Sequence, residues 1–218
     1  RQEGADGSGF DIIVASGDFT QRAKPEQFAA ARTYLDRLPD APLITTPGNH
    51  DVPLYRIAER LFRPLENYQR YISPDLDTVT RLPEAVVVSL NSTAPHRAIV
   101  NGRIHQHQID FARAAFADAP PELFRIVVAH HHFAPPPDFD RVEVMPKAKR
   151  ALDAFTQMRV DLILGGHLHR AYIGNSLDVY AGMDREHGIV IAQSGTSTSR
   201  RGRAREREKN SFNLLRLD

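Results

Sequence analysis

The chain has 218 residues, 41% of them hydrophobic and 25% charged, with 28 basic against 27 acidic side chains and a formal net charge of +1. That length suits one domain with a sizeable core, and the charge balance gives no electrostatic reason to expect nucleic acid or an acidic surface as partner. There is no cysteine, which excludes disulfides, thiolate metal sites and thiol catalysis and leaves His, Asp, Glu and Asn to hold any metal.

The chain opens on the polar, Gly-rich run "RQEGADGSG" and lacks an initiating Met. It is therefore expected to start inside its natural sequence, as a single domain over 1–218 shortened at the N-terminus. "DIIVAS" (11–16) then reads as a buried strand. Pro25 is a good first-turn residue, and Phe28, Ala31, Leu35 and Leu38 follow on one helical face. "LITT" (43–46) is the next strand, and Leu54 to Phe62 a shorter helix. "AVVVSL" (85–90) is a third strand, followed by a helix marked by Ile109, Ala112 and Phe116. "RIVVAH" (125–130), a helix through Ala148, Leu152 and Phe155, and "DLILGG" (161–166) continue the alternation. "GIVIAQSG" (188–195) and "FNLLRL" (212–217) read as later strands of a hairpin or meander. Strands alternating with helices predict an α/β layered domain. No apolar stretch approaches the roughly 20 residues that span a bilayer and no signal peptide is visible, so a cytoplasmic location is expected.

Polar ligand-type residues follow four of these strands. They are Gly17-Asp18, Gly48-Asn49-His50-Asp51, His130-His131-His132 and Gly166-His167-Leu168-His169. In open α/β sheets, sites form at the carboxyl ends of strands. A Gly-Asp pair alone is a turn, and a His pair alone is surface decoration; four sets at four strand ends point to a metal site. Carboxylate, amide oxygen and imidazole without sulfur suit Mn, Fe, Zn, Co or Ni. Two such ions about 3.5–4 Å apart, bridged by one Asp, clamp an in-line displacement at phosphorus.

In order and spacing these motifs resemble motifs two to five of the calcineurin-like metallophosphoesterases, and "SGDFTQRA", "TPGNHDVPLY" and "SGTSTSRRGR" resemble the branch that includes bacterial cyclic-nucleotide phosphodiesterases. The resemblance covers essentially the whole chain. It implies a four-layer α/β/β/α sandwich with a dinuclear site. It also implies hydrolysis of phosphodiesters, with 3',5'-cyclic nucleotides as candidates, by metal-activated hydroxide. Carried over by motif, Asp18 would bridge the metals. Asn49, His130 and His167 would complete one ion's ligands, and His169 would serve the other. His50 would be the catalytic histidine facing the leaving group, with Asp51 orienting its ring and Gly48 allowing the tight turn. In "AHHHF" the ligand is His130, first after the apolar run, or His131 if the register slips.

The family's first motif, Asp-x-His on a preceding strand, is absent: no His precedes His50, and neither Asp6 nor Asp11 has a His two residues on. The fold is therefore expected to lack its first strand, and the chain to hold one divalent ion better than the two of the full-length protein. A small phosphoester is the expected partner, and a homo-oligomer is compatible with the sequence. A phosphomonoesterase, a nuclease, or a non-catalytic binding protein with an incomplete site are the alternatives. His96, Arg97 and His105 lie in loops (52–82 and 91–108) that would set specificity, although solvated surface is the simpler reading. The run "RRGRAREREK" (200–209), with six basic and two acidic residues, reads as a solvated loop rather than a nucleic-acid patch.

Overall fold

The computed structural model describes residues 9–96, 100–136, 143–180, 187–199 and 209–217. The expected α/β layering is present, with two sheets packed between two helical layers. The smaller sheet pairs β1 (Ile13–Ala15) parallel to β2 (Leu43–Thr45). The larger has six strands: β3 (Thr78–Arg81), β4 (Ala85–Ser89), β5 (Phe124–Val128), β6 (Leu162–Gly165), β7 (Tyr172–Asn175) and β8 (Val190–Gln193). Their spatial order is β3-β4-β5-β6-β8-β7; β4, β5, β6 and β8 run parallel, and β3 and β7 are antiparallel edges.

The period of two along a strand sorts the core. Val86 and Val88 of β4, with Val127 of β5 and Ile163 of β6, face α4 (Gln106–Ala117) and α5 (Ala148–Gln157). Ala85, Val87, Ile126, Val128 and Leu162 face the other way and pack on Ile44 of β2. All five residues of β4 are buried, as a strand covered on both faces requires. Two hydroxyls stitch the sheets together: Ser89 Oγ donates to the Thr45 carbonyl at 2.8 Å, and Thr46 Oγ1 to the Leu90 carbonyl at 2.9 Å. A third cluster, with Phe28, Val52, Leu65 and Tyr68, joins α1 (Pro25–Leu35) to α3 (Glu66–Tyr71). Tyr68 Oη and Thr45 Oγ1, 2.8 Å apart, tie that layer to β2.

Several expectations are corrected. "FNLLRL" forms no strand: residues 209–217 are irregular, and Phe212 is 79% exposed. An apolar pattern needs a ladder partner, and this segment is held instead by Asn213 Nδ2 donating to the Gln193 carbonyl at 3.0 Å and by Ser211 N donating to Thr196 O at 2.8 Å. The helix expected over Leu54 to Phe62 forms as α2 (Ile57–Phe62), but the rest of the region 52–82 is not all loop, since it also contains α3 and β3. The edge strand β7 was not foreseen, and β8 inserts between it and β6 rather than following in a meander. A last short helix, α6 (Ser176–Val179), links β7 to β8. No helix among the described residues is long and apolar enough to cross a membrane.

Candidate metal centre

Parallel strands in each sheet send their carboxyl ends to one edge, and the loops there carry the candidate ligands. Asp18 follows β1, and Asn49 lies on a short 3₁₀ turn after β2. His130 follows β5, and His167 follows β6. Four atoms converge. His167 Nδ1 lies 2.9 Å from Asn49 Oδ1 and 3.3 Å from His130 Nε2. His130 Nε2 lies 3.2 Å from Asn49 Oδ1 and 3.4 Å from Asp18 Oδ1.

The tautomer of His130 follows from its partner. Its Nδ1 is 2.6 Å from the Ser16 carbonyl, which can only accept, so Nδ1 carries the proton. In the neutral ring Nε2 then presents a lone pair toward Asn49 Oδ1 and Asp18 Oδ1, which are acceptors too. One proton on His167 Nδ1 can serve only part of this set. Two imidazole nitrogens, an amide oxygen and a carboxylate facing one another are a donor set that fits a divalent cation. The backbone carbonyl behind His130 is the kind of partner that fixes a ligating ring.

The backbone is bent to make this convergence. Asp18, His167 and His169 have φ values of 58°, 72° and 55°, in the left-handed region that costs a non-glycine residue energy and clusters at functional sites. Gly17, at φ 93°, has no room for a side chain: a Cβ there would lie 2.7 Å from both the Gly48 nitrogen and His130 Nδ1. Gly48 is needed for space and not for a turn. Its φ of −103° and ψ of 177° suit any residue, but a Cβ would strike the carboxylate and backbone nitrogen of Asp18. The tight-turn reading of Gly48 is therefore corrected.

Asp51 is also corrected. Its Oδ2 accepts from Gly48 N at 2.9 Å and Phe19 N at 3.2 Å, and its Oδ1 accepts from Thr20 N at 2.9 Å. This carboxyl clamps the loop after β1 to the loop after β2. It does not orient the His50 ring, whose Nδ1 faces the Gln21 carbonyl at 3.1 Å. Burial, and then the charge of Asp18, push the Asp51 carboxyl up to about 7, against the pull of its three backbone donors. His50 N donates to Asp18 Oδ1 at 2.9 Å, so His50 sits on the same loop pair without entering the donor set.

His130 and not His131 faces Asn49 and Asp18. His131 Nδ1 is 2.8 Å from Ser92 Oγ, and one nitrogen of its ring lies within 4.8 Å of one nitrogen each of His130 and His167. Burial, followed by the neighbouring His130 and His167, holds the His131 ring well below the ordinary imidazole range. His132 stacks on His167, with ring centroids 5.5 Å apart. His169 follows two residues after His167 in the same loop, partly buried. His105 instead caps α4, its N–H donating to Gln108 Oε1 at 2.9 Å. Arg97 and all but the last residue of the 200–209 run lie outside the described residues. Sequence reading missed the carbonyls of Ser16 and Gln21 and the Thr20 clamp. Backbone carbonyls carry no residue-type signal, so no motif could have pointed to the first two.

With this geometry in hand, the family comparison is decisive: the calcineurin-like phosphoesterase family matches residues 2–171. The chain belongs to the calcineurin-like phosphoesterases. This is a hydrolase family, and the donor set lies on the elements that the match covers. Among curated sequences, the chain is 27% identical over 165 residues to the 3',5'-cyclic adenosine monophosphate phosphodiesterase CpdA of Haemophilus influenzae, covering 74% of this chain and 55% of that protein. It is 28% identical over 171 residues to a probable cyclic nucleotide phosphodiesterase of Rhodococcus erythropolis, covering 76% of this chain and 53% of that one. The chain thus spans little more than half the length of these relatives. Among solved structures, a dimetal phosphatase from Danio rerio superposes with a TM-score of 0.56 at 14% identity, covering 85% of this chain and 72% of that one. PhoD superposes with a TM-score of 0.59 at 10% identity, covering 87% and 52%. At these identities the likeness speaks for the fold.

Proposed function

We propose that this phosphoesterase hydrolyses phosphodiesters, with 3',5'-cyclic nucleotides the first substrates to test. The convergence of Asp18, Asn49, His130 and His167, with the His130 lone pair turned toward other acceptors, is the observation that carries the reading. The names of the bacterial relatives support the diester class. In this reading those four residues would hold one divalent ion, and Asp18 and His169 would serve a second, which would make the four-residue position the tighter. Bound ions of this kind supply Lewis acidity at the phosphoryl oxygens and lower the pKa of water.

The protein's own groups do the rest. Ser16 O holds His130 in the tautomer that leaves Nε2 unprotonated. Gln21 O accepts from His50 Nδ1, which leaves His50 Nε2 to face the departing oxygen and, when the ring carries a second proton there, to give that proton up. Asp51 and Thr20 keep the two loops in register, which fixes His50 relative to Asp18.

The test is a comparison on Mn²⁺-loaded protein of a chromogenic phosphodiester, cyclic AMP and a chromogenic phosphomonoester. Diester turnover exceeding monoester turnover supports the reading. Monoester turnover alone assigns a phosphomonoesterase, and stoichiometric metal with no hydrolysis of any of the three assigns a binding protein.

A further inference from the structure

Helix α2 is built inside out. At 3.6 residues per turn, Ile57, Ala58, Leu61 and Phe62 span an arc of about 140°, and Glu59 and Arg60 share the remaining arc. The arginines face the protein. Arg56 donates through both terminal nitrogens to the carbonyls of Arg22 and Ala23, at 2.9 Å each. Arg60 donates to the Leu54 carbonyl at 2.9 Å, and its Nε is buried. The apolar arc faces outward: Ile57 is 61% exposed, Leu61 48% and Phe62 81%, with Tyr55 just before the helix at 78%. No residue of α2 is buried. A surface helix normally turns its apolar stripe to the core and its charges to water. Six residues are also far too few to hold a helix in water unaided; here the arginine–carbonyl bonds fasten one side and leave the apolar side bare.

We propose that this face pairs two copies of the chain about a two-fold axis. Size is the first argument. Two aromatic rings of roughly 150–250 Å² each, about four-fifths exposed, give roughly 250–400 Å². Leu54, Ile57 and Leu61 raise the face to roughly 500 Å², and two such faces bury about 1,000 Å², the floor for a specific interface. Charge is the second. Around the face, Arg56 pairs with Glu59 at 2.8 Å, Arg63 with Glu66 at 3.3 Å and Lys24 with Glu26 at 3.5 Å. Cations already neutralised by neighbours offer little to an anionic lipid surface, and an identical face meets no block of like charge. A self-complementary apolar patch with a balanced rim is what an isologous contact requires.

Sedimentation velocity across a concentration range up to about 100 µM tests the pairing, since a dimer's population follows protomer concentration. The wild-type chain is expected to sediment as a dimer, and Phe62→Glu and Leu61→Glu to raise its dissociation constant at least tenfold. Both side chains are exposed, so thermal melting of the separated protomer stays unchanged. Ile173→Glu, at a similarly exposed site (64%) on β7, keeps the wild-type mass. A wild-type monomer throughout the range would overturn the proposal. So would a dimer that Phe62→Glu leaves intact, or a monomer that co-floats with phosphatidylcholine–phosphatidylglycerol vesicles.

Discussion

Replacing Gly48 by alanine tests how closely the loops after β1 and β2 must approach. The backbone at Gly48 is extended, so alanine meets no conformational penalty there. All of the effect comes from space. The new methyl would stand on the Asp18 carboxylate and backbone nitrogen, with Cγ at 2.8 Å. Ordinary contact requires the two loops to part by on the order of 1 Å, and forced overpacking of this kind costs about 1–3 kcal/mol. In a chain of this length each kcal/mol lowers Tm by about 2–4 °C, so the middle of the range is a fall of about 4–8 °C. The same displacement moves Asp18 from His130 Nε2, now 3.4 Å away, and breaks the 2.9 Å bond from His50 N. Mn²⁺ affinity is expected to drop at least tenfold, since a ligand 1 Å out of place weakens any preorganised site. Calorimetric melting in chelator and titration calorimetry with Mn²⁺ read the two effects separately. Gly9→Ala, where a Cβ meets nothing within 4 Å, serves as the control. A Gly48→Ala protein with wild-type Tm and wild-type Mn²⁺ affinity would refute the close-approach argument.

Three further outcomes are expected. His130→Ala should lose the tight Mn²⁺ equivalent while His131→Ala keeps it, because only His130 faces Asn49 and Asp18; the reverse result in a metal titration would move the ligand to His131. His50→Ala should lower diester turnover by ~10²–10⁴-fold with bound metal unchanged on the same sample, and loss of metal would make His50 a ligand. His132 is buried, and burial pushes its ring from 6.5 down to about 4. A ring that resists protonation in the folded state contributes stability above pH 6.5 that is lost as pH falls toward 4. His132→Leu should therefore gain about 2 kcal/mol over wild type on going from about pH 7.5 to pH 5, measured by urea unfolding in chelator, and a pH-independent difference would show that His132 is solvated or paired.

The strands that deliver the site were legible because their residues have no other use. "AVVVS" and "RIVV" are β-branched and bounded by polar turns, and a strand covered on both faces must be written that way. The motif residues were legible for a related reason: Gly-Asp, Asn-His and paired His after buried strands are costly anywhere but at a sheet edge. β3 and β7 were not, because an edge strand such as Tyr172–Asn175, with residues that are exposed or half-buried, is hydrogen-bonded rather than buried into existence. "FNLLRL" failed in the opposite direction. Its pattern suits a strand, but a strand exists only where another offers its N–H and C=O groups.

Residue identity alone determined that imidazole, carboxamide and carboxylate come together after parallel strands, and the resemblance to a family followed from their order. Tertiary structure decided what each group does. Asp51 reads as a partner for the adjacent His50, yet it is taken by the N–H groups of Gly48, Phe19 and Thr20. His50 and His130 take their tautomers from the carbonyls of Gln21 and Ser16, 29 and 114 residues away. Every residue carries such a carbonyl, so its direction is set by the path of the backbone and is written in no side chain. The face of α2 follows the same logic. Its spacing of Ile57, Leu61 and Phe62 says amphipathic helix, and only the carbonyls that capture Arg56 and Arg60 turn that apolar side away from the core.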